Sequence, residues 1–145
     1  MAESNNAWPA YARVPPFLPV PLRARADGWT EDRQARFIGI LAETGSVAAA
    51  ARAVGLSEMS AYRLRRRAGA GSFAHAWDAV VAIRRGGKAA KRKVRAEERV
   101  AFAFEGPLVV MMRRRRFVRA VRKPNASALL RHVSWCDRVA AGLEW

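Results

Sequence analysis

The sequence predicts a mainly α protein: a trihelical core, a Pro-rich N-terminal arm and a small basic α+β C-terminal extension. Three observations carry this. Between residues 30 and 85, apolar residues recur at helical spacing in short runs, most of them opened by Thr or Ser and closed by Gly. Five of the seven prolines fall within residues 1–28. Of the formal charge of +15, +10 belongs to residues 88–145, which hold fifteen basic and five acidic side chains. The chain therefore divides at 1–28, 29–85 and 86–145. With 51% hydrophobic residues in 145 it can bury a core, unlike the low-hydrophobicity, high-charge chains that stay unfolded.

In the arm, Pro9, Pro15, Pro16, Pro19 and Pro21 each fix φ and remove an amide donor, so an extended path is expected. Trp8, Tyr11, Phe17 and Leu18 give it apolar weight. Two readings follow. The arm packs these side chains on its own domain, or it docks on a partner through the PxxP spacing of Pro16-Phe17-Leu18-Pro19.

Thr30 is placed to cap a first helix, with Glu31 and Asp32 in its first turn, where carboxylates suit the positive end of the helix dipole. Phe37, Ile40, Leu41 and Thr44 share its face, and Gly45 ends it. Ser46 caps a second helix whose Val47, Ala50, Ala51 and Val54 align, and Gly55 ends that one. Ser57 caps a third, expected to run through Arg67 with Ala61, Leu64 and Ala68 inward. After Gly69-Ala70-Gly71, Ser72 is expected to cap a fourth helix over 72–85, with Phe73, Ala76, Trp77, Val80, Val81 and Ile83 apolar.

Beyond Gly86-Gly87, residues 88–99 read as charged helix or linker. Val100, Phe102 and Phe104 alternate with strand periodicity, and Glu105-Gly106-Pro107 is turn chemistry. Leu108–Met112 and Phe117–Val121 flank Arg113–Arg116 and predict a small antiparallel hairpin or meander, ended by Lys123-Pro124-Asn125. A last helix is expected over 126–141, with Leu129, Leu130, Val133 and Val139 inward.

Residues 46–65 carry the functional signal. Small Ala51 stands where two helices can cross closely, Gly55 takes a left-handed turn position, and Leu56 plugs the core below it. This is the helix-turn-helix pattern, which lays its second helix in the DNA major groove. Glu58, Met59, Ser60, Tyr62 and Arg63 are then the candidate base contacts. Arg52, Arg65, Arg66 and Arg67 are candidate phosphate contacts. Arg113, Arg114, Arg115 and Arg116 form the densest basic tract and read either as a second phosphate-contacting surface or as a charged edge that resists strand association.

Over residues 13–80 the chain resembles uncharacterised alphaproteobacterial helix-turn-helix proteins, through LAETGSVAAAARAVGLSEMSAYRLRRR (41–67) and SFAHAWDAV (72–80). The same block is similar to the DNA-binding end of phage terminase small subunits and of resolvase-type domains. The resemblance implies a trihelical DNA-binding fold and a regulatory or positioning role. It covers about half of the chain.

Enzyme chemistry is not expected. His75 and His132 lack metal-ligand spacing, Cys136 is a lone thiol, and no glycine loop is built to cradle phosphate, so neither metal nor cofactor is expected. No apolar run approaches a membrane span, and no helix pairs a clean basic face with a large apolar one. The expected function is non-enzymatic, sequence-specific binding of double-stranded DNA by a transcriptional regulator, cytoplasmic and on the nucleoid when bound. The alternatives are a terminase-small-subunit-like recognition protein acting as a homo-oligomer, and an RNA-binding or ribosome-associated basic protein.

Overall fold

The structure is a computed structural model that describes residues 8–10, 12–22, 28–124 and 126–142. Six helices and one two-stranded antiparallel sheet follow in the order α1 (Glu31–Thr44), α2 (Val47–Ala53), α3 (Glu58–Arg65), α4 (Gly71–Arg84), α5 (Ala96–Phe104), β1 (Leu108–Arg113), β2 (Arg116–Arg122) and α6 (Ala126–Ala140).

The first three helices start where hydroxyl side chains can satisfy free amides. The Arg33, Ala49 and Ser60 N–H groups donate to the hydroxyls of Thr30, Ser46 and Ser57 respectively. The apolar side of each helix meets one core of Phe37, Ile38, Leu41, Ala50, Ala51, Ala61, Leu64, Phe73, Trp77 and Val80. Phe37 is its hub: its ring lies 4.9 Å from that of Trp77, 5.3 Å from Trp29 and 6.1 Å from Phe73. Thr44 stays exposed, its hydroxyl donating back to the Ile40 carbonyl.

The hairpin lies along α1. Phe117 N–H donates to Glu43 Oε2 near the end of that helix, and Arg122 pairs with Glu31 at its start. Strand β2 therefore runs antiparallel to α1. Gly39 permits the approach, because a Cβ there would stand 2.1 Å from Phe117 Cδ1. Leu108 and Val110 join the helical core. Residues 12–22 of the arm are seated in the same core, and Phe17 and Leu108 exchange backbone hydrogen bonds. Leu18 N–H donates to Ser72 Oγ, and Val20 N–H to Gln34 Oε1. Phe17 and Leu18 are thus buried in this core, while Pro16 is exposed. Tyr11 and Asn125 lie outside the described residues.

Four expectations are corrected. Ser72 does not cap α4, which begins one residue earlier; its hydroxyl holds the arm instead. Helix α3 stops at Arg65, not Arg67, and Ala68 is exposed. Val100, Phe102 and Phe104 are helical, not extended. Glu98 decides that, since its carboxylate accepts from the Arg95 N–H at the helix start and from Arg92 Nη1 at 2.8 Å. Finally, Leu129, Leu130, Val133 and Val139 do not point inward; all four are exposed.

Candidate nucleic-acid interface

The α2–turn–α3 unit closes as its sequence requires. Leu56 N–H donates to the Ala51 carbonyl across the turn, and Gly55 sits at φ 77°. Ala51, Ala61 and Leu64 are buried beneath, and Val54 and Leu56 pack beside them. This sets the outward side of α3. Glu58, Met59, Tyr62 and Arg63 are exposed along it, with Arg66 just past its end. Arg63 Nη2 rests 3.7 Å from Met59 Sδ, one helical turn away.

Other residues singled out in the sequence are engaged within the protein. Ser60 is half-buried; its hydroxyl donates to the Ser57 carbonyl and accepts from Trp29 Nε1. It lies toward the core, and Arg63 shares its face with Met59 instead. The Tyr62 ring leans on Trp77 at 5.2 Å. Arg65 lies over the same Trp77 ring at 4.8 Å and donates to both Asp78 carboxylate oxygens at 3.0 and 3.1 Å. Part of its charge is thereby neutralised. Arg52, Arg66 and Arg67 are exposed.

Arg113–Arg116 form the tip of the hairpin. Arg113 pairs with Arg116, and Arg114 and Arg115 make the two-residue turn between them. Both turn residues have positive φ, 52° and 68°, the type I′ form for which Asn-Gly is preferred. The four arginines are exposed. Because β2 runs back along α1, the tip projects beyond the α1 C-terminus, where α2 begins. Arg84 reaches the same end and donates to the Ala42 and Glu43 carbonyls, and exposed Arg85 follows it. Sequence reasoning overlooked Arg84 and Arg85, although basic residues in a helix's last turn were visible there.

A cleft of about 700 Å³ between the arm, α1 and α5 is lined by Leu22, Trp29, Gln34, Glu98 and Arg122 among others. Its buried polar groups are already engaged: the Gln34 amide is bonded to Val20 and Trp29, and the Ser72 hydroxyl accepts from the Leu18 N–H. Among the described residues, no group of three or more His, Cys, Asp or Glu could hold a metal ion, and no helix is long and apolar enough to cross a membrane. Compared with protein-family models, curated proteins and solved structures, the chain matches none of them.

Proposed function

We propose that this protein binds double-stranded DNA sequence-specifically, without catalysis, and acts as a transcriptional regulator. The observation that carries the proposal is the α2–turn–α3 unit, which buries Ala61 and Leu64 while leaving Met59, Tyr62, Arg63 and Arg66 on one outward side. Met59, Tyr62 and Arg63 are of a size and charge to read base edges in a major groove, and Arg63 is suited to a guanine. Arg52, Arg66 and Arg67 would meet the flanking phosphates. A terminase-type packaging role would use the same surface, and the regulator would sit on the nucleoid when bound.

The hairpin tip supports the electrostatic half of the reading. A turn with two positive φ angles disfavours residues bearing a Cβ, and arginine there costs local stability. Such a local departure is expected at a functional position. Replacing Arg114→Asn and Arg115→Gly together should raise stability by about 1 kcal/mol. It should also weaken binding to all duplexes alike, and flatten the dependence of log K on log salt by about 0.9 for each phosphate no longer neutralised. Arg63→Ala should instead lower the ratio of specific to non-specific affinity.

The deciding experiment is selection of bound duplexes from a random pool, followed by a salt series on the winner and on scrambled DNA. An enriched motif that Arg63→Ala loses supports the proposal. The absence of any enriched motif, or stronger binding to structured RNA than to duplex DNA, sinks it.

A further inference from the structure

Helix α6 has an apolar side that its neighbour does not cover. It meets α5 through His132, whose ring lies 5.8 Å from Phe104 and stacks on Trp135 at 6.0 Å. Among the described side chains of the helix, His132 and Trp135 are the half-buried ones. A second side, Arg131, Ser134 and Arg138, is polar. The third side carries Leu129, Val133, Cys136 and Ala140, flanked by Leu130 and Asp137, and all six are exposed. Leu130 is 70% exposed and Val133 48%.

The spacing of this stripe suits a helical partner. Leu129, Val133, Cys136 and Ala140 follow one another by four, three and four residues, the a/d rhythm of a helix that pairs with another helix. Exposed Phe104 joins the stripe through His132, which it touches and which lies 3.6 Å from Cys136 Sγ. Phe104 is 63% exposed, beside Leu130 and Val133, so a two-fold pair would bury a small patch, at the low end of specific interfaces. A membrane surface fits poorly, since α6 carries only Arg131 and Arg138 against Asp137.

We infer that α6 is a homodimerisation helix, its Leu129–Val133–Cys136 stripe covered by the same stripe of a second copy. The pairing is isologous, so one surface serves both chains. An interface of this size belongs to the weak, transient class. Pairing through α6 does not depend on DNA binding.

Sedimentation equilibrium of the full chain from about 1 to 300 µM tests it, together with cross-linking by a short bismaleimide. Cys136 is the single cysteine, so every covalent dimer reports this helix. The wild type should pass from one to two chains with rising concentration and cross-link in the same range. The double variant Leu130→Glu, Val133→Glu should stay monomeric with an unchanged melting temperature, because both side chains are already exposed, and should cross-link at least tenfold more slowly. A wild type that is monomeric throughout, one that forms only polydisperse aggregates, or a variant that dimerises like the wild type overturns the inference. Binding of both forms to a short single-site duplex is a separate readout. Loss of that binding in the wild type strikes the proposed function and leaves the dimer standing.

Discussion

Helices α1–α4 and the pair α5–α6 obey the same local rules and end in opposite circumstances. Phe37, Ile38 and Leu41 on α1 are fully buried, while Leu130 and Val133 on α6, just as periodic along their helix, face solvent. Periodicity tells a helix which side to bury. Only a tertiary partner buries it, and α1 has α2, α4, the arm and the hairpin around it, whereas α6 has α5. Stability should therefore be concentrated in residues 28–84 with the hairpin laid against them, and the C-terminal helices should contribute to association.

The widest separation should come from truncating one side chain in each region. Phe37→Ala removes the ring that Trp29, Phe73 and Trp77 share and should cost about 3–5 kcal/mol. Leu130→Ala, measured by thermal melting at a concentration that keeps chains apart, should change stability by less than about 0.5 kcal/mol. Equal losses would abolish the contrast. Gly39→Val probes the seam between α1 and the hairpin: its side chain would collide with the Phe117 ring and should cost about 1–3 kcal/mol. Hydrogen exchange in β1 and β2 should speed up after this change, and unchanged exchange would show that the hairpin is held by something else. Gly55→Val isolates backbone strain. Nothing lies within 4 Å of a Cβ at that position, so the cost of about 1–3 kcal/mol comes from φ 77° alone. Gly55→Asn should cost clearly less, and identical melting of the two variants would place the turn in another conformation.

The smallest effect is a pH dependence in α5. The Arg92 guanidinium, by its hydrogen bonds, holds the Glu98 carboxyl below its ordinary pKa of 4.5 against a weaker opposing effect of burial. The sign follows: a depressed carboxylate stabilises the fold above its unfolded pKa, and that contribution fades as pH falls through the lower folded value. Acid should thus loosen α5 first near and below pH 4.5. Glu98→Gln should remove this sensitivity, as amide exchange in Ala96–Phe104 between pH 3 and 6 would reveal.

Legibility followed the range of the interactions. The caps at Thr30, Ser46 and Ser57 bond to amides three residues on, and each was readable. Ser72 looked like another cap, yet its hydroxyl serves Leu18, 54 positions away. Val100, Phe102 and Phe104 alternate over too short a span to exclude a helix, and the Glu98 carboxylate settled the matter. The outline of the candidate interface was legible for the same reason as the helices. Its interior was not, because Ser60 is claimed by Trp29 and Arg65 by Asp78 and Trp77.

The bridge between Phe17 and Leu108 has a consequence for synthesis. About 90 positions separate the two residues, so at roughly 5–20 residues per second the arm waits on the order of 5–20 s for the strand it bonds to. Leu18 and Val20 have Ser72 and Gln34 to bond to much earlier, so the part of the arm up to Phe17 is the part left without its backbone partner while the ribosome works. Nascent chains arrested between Arg84 and Leu108 should be cut by protease more readily within residues 12–17 than within 18–22, and chains arrested well past Arg122 should be spared in both.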